Sequence, residues 1–193
     1  MNSITIFCGS SFGSSDNFRI QAIELGKQLA KQKIKLVYGG AKVGLMGAVA
    51  DGALNENGVV IGVLPEFLMK KEVAHEGLTE LILVDTMLER KTKMNDLCDG
   101  VIALPGGFGT LDELFEMLTW GQLGLHKKPI GILNVDGFYD HLINLLDNMV
   151  DKELLKKANR DLLLVSDNIE DLLTKMKHYE APKVTKWISK EHT

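Results

Sequence analysis

Short apolar runs that end in small-residue turns and reopen as amphipathic stretches recur along this chain. That alternation limits its fold more than any other feature. Its fullest form is Val101-Ile102-Ala103-Leu104, then Pro105-Gly106-Gly107-Phe108-Gly109, then Leu111, Leu114, Phe115 and Leu118 at helical spacing. This predicts a strand, a turn and a helix. Gly106, Gly107 and Gly109 let a ligand approach the backbone closely, and the free amides of a new helix bind phosphate. A second reading of the same residues stands beside it. Thr110-x-x-Glu113 matches a capping box, with Thr110 as cap and Glu113 at the third helical position, where a Gln would serve as well.

The same unit repeats on both sides. Ile4 to Cys8 reads as a first strand. The loop Gly9-Ser10-Ser11-Phe12-Gly13-Ser14-Ser15-Asp16 follows, then a helix marked by Phe18, Ala22, Leu25 and Leu29. Ser15 or Asp16 caps that helix, or the loop holds an anion. Lys35 to Tyr38 is a second strand, running into Gly39-Gly40-Ala41-Lys42-Val43-Gly44-Leu45-Met46-Gly47 and a helix. Leu45-Met46 replaces the Lys-Ser/Thr of a P-loop, and no turn gives Gly-x-Gly-x-x-Gly after a strand. Gly44 and Gly47 are expected to let that helix pack tightly on the sheet. Further strands are read at Val59–Leu64, Leu81–Val84, Pro129–Leu133 and Leu162–Val165, and further helices at Met87–Asp96, Phe138–Met149 and Ile169–Met176. The long connection from Glu66 to Thr79 is a place for function. In the Met87 helix, Met87, Lys91 and Met94 are placed on one face and Glu89 with Lys93 as an i,i+4 ion pair. Arg90 reads as a solvated position or, following a strand end, as a side chain aimed at an anion.

Alternating strands and helices predict an α/β fold, a Rossmann-like, doubly wound and mostly parallel sheet flanked by helices. All the unusual loops fall at strand carboxyl ends, where such sheets bind ligands, so they converge on one pocket. The chain of 193 residues suits one domain over residues 1–181, with 182–193 as a peripheral tail bearing Trp187. A net charge of −4 argues against nucleic acid as a partner. Cys8 and Cys98 form no CxxC pair, so no metal site is expected, and they suit a reducing compartment. No run spans a membrane and the start lacks the pattern of a signal peptide, so a cytoplasmic protein is expected.

Pro105 to Glu113 fits PGGxGTxxE, and Met87-Leu88-Glu89-Arg90-Lys91 stands upstream at matching spacing. With Cys8-Gly9-Ser10-Ser11 and Tyr38 to Gly47, the chain resembles the LONELY GUY (LOG) family. Its members are cytokinin riboside 5′-monophosphate phosphoribohydrolases, once labelled lysine decarboxylases. The resemblance implies a homodimer without a cofactor, acting on a nucleoside 5′-monophosphate. It implies a catalytic pair, Glu113 and Arg90. It implies substrate contacts at Glu72, Arg90, Lys91, Gly106, Gly107, Phe108, Gly109, Thr110, Leu111, Asp112 and Thr119. Ser10, Gly40, Gly44 and Met46 are additional candidate contacts. Ala41 departs from the family, where many members have a third glycine, and Phe108 stands where plant members commonly have Tyr. The residues suit the chemistry: a carboxylate beside C1′ stabilises the ribosyl cation of N-glycoside hydrolysis, while the glycine turn holds the phosphate. An AMP nucleosidase and a non-catalytic nucleotide-binding module are the alternatives. A decarboxylase would need a pyridoxal-phosphate lysine, and no Lys stands in a recognisable context for one.

Overall fold

The structure, a computed structural model, describes residues 1–69 and 74–182. In chain order the elements are β1 (Ser3–Phe7), α1 (Asp16–Lys31), β2 (Lys35–Tyr38), α2 (Gly44–Leu54), β3 (Val60–Pro65) and β4 (Glu80–Val84). Then come α3 (Met87–Asp96), β5 (Gly100–Ala103), α4 (Phe108–Gln122), β6 (Ile130–Leu133), α5 (Asp140–Asp151), α6 (Lys157–Arg160), β7 (Leu163–Ser166) and α7 (Ile169–Lys177). The seven strands form one sheet in the order β4-β3-β2-β1-β5-β6-β7, and every pairing is parallel. The expected α/β architecture is therefore present.

β3, β5 and β6 read as unbroken apolar runs, and Thr5 in β1 is as buried as its apolar neighbours, because helices cover both faces. On one face, Ile4, Ile6, Leu36 and Ile102 pack with Leu25 and Leu29 of α1, Val49 of α2 and Leu172 of α7. On the other, Val37, Val63, Val101 and Ile132 pack with Met94 of α3, Leu114 and Met117 of α4, and Leu146 of α5. α1 and α2 approach each other closely at Gly26 and Gly52; a Cβ on either would stand 2.2 Å from a carbonyl oxygen of the other helix.

The chain runs from β1 outward to β4, then returns to β5 on the other side of β1. The order reverses between β1 and β5, and a crevice opens there at the carboxyl ends. Its two loops are tied: Gly9 N–H donates to Pro105 O at 3.0 Å and Leu104 N–H to Phe7 O at 2.9 Å. The third loop joins them through Leu45 N–H, which donates to Gly9 O at 3.0 Å.

The structure decides some local expectations and corrects others. The short helix α6 adds an element not assigned from the sequence, and Phe138 precedes α5 instead of opening it. Ser15 is the cap of α1, its side chain accepting from Asn17 N–H. Glu89 accepts from Asp85 N–H at 2.9 Å while Thr86 accepts from Glu89 N–H, so Glu89 serves the start of α3 rather than pairing with Lys93. A Cβ on Gly47 would meet the Lys42 carbonyl, and one on Gly44 the Ser10–Ser11 backbone. These two glycines fit α2 to its neighbouring loops, not to the sheet. Trp187 and the rest of the tail beyond Pro182 lie outside the described residues.

Candidate active site

The helix after β5 starts earlier than a Thr110 cap would place it. Gly107 is the N-cap, with φ −97° and ψ −153° and no side-chain cap bond, and α4 runs from Phe108. Thr110 is thus the third helical residue and Glu113 the sixth, so no capping box forms. Freed from the helix end, Glu113 turns inward and is only 9% exposed. Arg90 reaches it from α3. The residue is 8% exposed and so does not occupy a solvated helix face. Its Nε donates to the Val63 carbonyl of β3 at 3.2 Å, and its Nη1 stands 3.7 Å from Glu113 Oε1.

These side chains form the floor of a cleft of about 260 Å³ at the crevice between β1 and β5. Ser10, Gly39, Met46, Gly107, Phe108, Gly109 and Thr110 surround it, with Cys8 and Met94 beneath. At Gly107 and Gly109 a Cβ would meet no atom of the described residues within 4 Å, and neither residue has a positive φ. Packing among the described residues gives no reason for glycine at either position. Room for a ligand against the first turn of α4 does, since the amides there have no partner inside the helix.

Burial pushes the Glu113 carboxyl from an ordinary 4.5 up to about 7. The Arg90 guanidinium pulls the other way without winning, and Asp112 adds to the rise. Burial likewise drives the Cys8 thiol far above its usual value, so Cys8 stays a neutral thiol in the floor. The site therefore offers a cation, a carboxyl that titrates near neutrality, and a helix N-terminus, all facing one space. Among the described residues no group of three or more His, Cys, Asp or Glu side chains is placed to hold a metal ion, and no helix is long and apolar enough to cross a membrane.

Of the residues expected from the sequence, Glu113, Arg90, Ser10, Met46, Gly107, Phe108, Gly109 and Thr110 surround this cleft. Others do not. Gly106 packs instead, because a Cβ there would stand 2.1 Å from Thr110 Oγ1. Gly40 and Gly44 have φ of +82° and +57° and serve backbone geometry. Lys91 does not line the cleft; it bonds to Asp112 at 3.3 Å and Glu116 at 3.0 Å, which straps α3 to α4. Leu111, Asp112 and Thr119 line a shallow groove on the outer side of α4 with Phe108, Phe115 and Trp120. Thr119 Oγ1 donates to Phe115 O there. Glu72 lies outside the described residues. Ala41 is buried and bridges to Ala74 as an antiparallel pair, so its methyl points into packing. Gly39 and Cys8 were not among the expected contacts. Their place at the ends of β2 and β1 was the available signal.

The family model described as "Possible lysine decarboxylase" matches residues 46–176. The cytokinin riboside 5′-monophosphate phosphoribohydrolase LOG2 of Arabidopsis thaliana is 42% identical, over 97% of this chain and 87% of its own. A probable enzyme of the same name, LOGL9 of Oryza sativa subsp. japonica, is 45% identical over 91% of this chain and 78% of its own. Among solved structures, the molybdenum cofactor binding protein of Rippkaea orientalis shares the fold, with a TM-score of 0.67, 23% identity, and coverage of 91% of this chain and 95% of its own. With two motifs from distant parts of the sequence meeting in one cleft, and with this identity over nearly the whole chain, the protein belongs to the LOG family.

Proposed function

We propose that the chain hydrolyses the N-glycosidic bond of cytokinin riboside 5′-monophosphates, releasing the free base and ribose 5-phosphate. The observation that carries this reading is the buried Glu113–Arg90 pair set one turn behind an open helix N-terminus. The 5′-phosphate binds at the amides of Phe108, Gly109 and Thr110, where the dipole of α4 favours an anion. That contact places the ribose over Glu113. As the C1′–N bond breaks, positive charge grows on the ribosyl ring, and the Glu113 carboxylate stabilises it and aligns the attacking water. A carboxyl titrating near 7 is ionised in a large fraction of molecules at neutral pH and remains basic enough to accept a proton from water. Arg90 favours the ionised form of Glu113 against the effect of burial and keeps the carboxylate in place. Phosphate binding is the remote contact that positions the reacting centre.

The assembly is a homodimer. Phe108 is 94% exposed at the mouth of the cleft, and Leu111, Phe115 and Trp120 continue an apolar strip along α4. A second copy covering this strip brings the outer contacts Leu111, Asp112 and Thr119 next to a cleft. Two buried unpaired cysteines suit work in the reducing cytoplasm. The test is a panel of AMP, GMP, CMP and N6-prenylated AMP, assayed for ribose 5-phosphate. A strong preference for the prenylated nucleotide is the expected result. Preference for AMP would point to nucleotide salvage, and release from none of them would leave a nucleotide-binding module. Light scattering that found a fully active monomer would overturn the dimer.

A further inference from the structure

We propose that Gly39 is a positioning residue, which seats the Arg90 guanidinium by leaving open the space any side chain at position 39 would fill. A Cβ on Gly39 would stand 2.1 Å from Arg90 Nη2, 3.3 Å from Arg90 Cζ and 3.1 Å from Met46 Sδ. Gly39 does not have a positive φ, whereas its neighbour Gly40, at +82°, does. The second glycine of the pair serves the backbone, and the first serves Arg90.

The guanidinium thus has a different neighbour at each nitrogen. Nε bonds to the Val63 carbonyl, Nη1 faces Glu113, and Nη2 occupies the side-chain space of Gly39. A methyl at position 39 collides with the far end of a side chain and a thioether, not with backbone. β2 therefore stays in place and the guanidinium moves. The consequence falls on Glu113. That carboxyl is faced by Arg90 and Lys91 from α3, by Asp112 and Glu116 from its own helix, and by Cys8 from the end of β1. Arg90 supplies the largest attraction among them, and burial already outweighs it. Withdrawing Arg90 leaves the carboxyl protonated to higher pH.

The turnover part of this inference rests on the proposed hydrolase activity, so the test has an arm that does not. Four proteins are compared: wild type, Gly39→Ala, Arg90→Lys and the double variant. Lysine has no atom equivalent to Nη2, so it leaves room for the methyl. Each is measured for turnover, for melting temperature and for the titration of Glu113 by carbon NMR. Gly39→Ala should lower kcat roughly 10²-fold, the scale of a small misplacement at a reacting centre. It should raise the pH at which Glu113 titrates and barely change the melting temperature. Added to Arg90→Lys it should have almost no further effect on turnover. An equal penalty in both backgrounds, an unmoved Glu113 titration, or a fall in melting temperature that accounts for the lost activity would overturn the proposal. If the wild type releases no ribose 5-phosphate, the hydrolase reading fails by itself, and the Glu113 titrations still decide what Gly39 does.

Discussion

Replacing Glu113 with Gln should make the protein more stable and less active, by amounts the site's electrostatics set. Folding takes this carboxyl from an ordinary 4.5 to about 7, with burial as the main cause. Between those two values the folded state binds more protons than the unfolded state, so stability falls as pH rises through that window. At about 1.4 kcal/mol per pH unit, keeping Glu113 ionised at pH 8 costs the fold roughly 3 kcal/mol. The attraction of Arg90 is already contained in that figure, because it helps to set the carboxyl's affinity for its proton.

Gln copies the neutral form at every pH. At pH 8, Glu113→Gln should therefore raise the melting temperature by about 6–12 °C, at roughly 2–4 °C per kcal/mol for a chain of this size. Near pH 4.5 the two proteins should melt together. Turnover should drop roughly 10²–10⁴-fold, since an amide neither stabilises a ribosyl cation nor takes a proton from water. Calorimetric scans of both proteins from pH 4.5 to 8, with hydrolysis of N6-prenylated AMP assayed alongside, make the measurement. A melting difference that does not grow with pH would refute the reasoning, and near-normal hydrolysis would remove Glu113 from catalysis.

The 5′-phosphate should be required: each charged hydrogen bond to it is worth roughly 1.5–3 kcal/mol, so nucleosides should lose several orders of magnitude in kcat/KM. Comparable turnover of N6-prenylated AMP and its nucleoside would contradict that. Gly109→Ala should fold with little loss, because the added Cβ meets no atom of the described residues within 4 Å, yet weaken nucleotide binding; calorimetric titration with the nucleotide checks it. Arg90→Ala should push the Glu113 titration upward and lower turnover near neutral pH, with part of the loss recovered at higher pH as the carboxyl ionises. A pH–rate profile identical in shape to wild type would count against the pairing.

Strand and helix positions were legible because burial on both faces forces unbroken apolar runs, and one-sided burial forces the 3.6 period. The meeting place was legible as well, since parallel topology sends every unusual loop to one end of the sheet. The frame of the central helix was not. Thr110 and Glu113 have capping-box spacing, but α4 begins at Phe108, and that offset turns Glu113 from a cap into a buried carboxyl. Gly39 and Gly40 are indistinguishable as letters. One answers to backbone geometry and the other to a side chain arriving from α3, which no local window contains.

The hardest residue to read was Arg90, inside Glu89-Arg90-Lys91-Thr92-Lys93, a stretch whose polarity suggests solvent. Grouping Met87, Lys91 and Met94 on one face turned the helix the wrong way. The buried face holds Arg90 and Met94, four apart, with Leu97 packed beside them, while Met87 is exposed and Lys91 faces α4. The i,i+4 rule contained the correct answer, but hydropathy alone gave no reason to pair an arginine with a methionine. The reason lies in the head group. A lysine at position 90 would bring one ammonium into a space where three neighbours, a β3 carbonyl, a carboxyl and an open glycine, each meet a different nitrogen. Only the planar fork of arginine meets all three at once and keeps its charge while buried. Burial at this position is therefore set by the chemistry of the cleft, and its signal is divided among β2, β3 and α4.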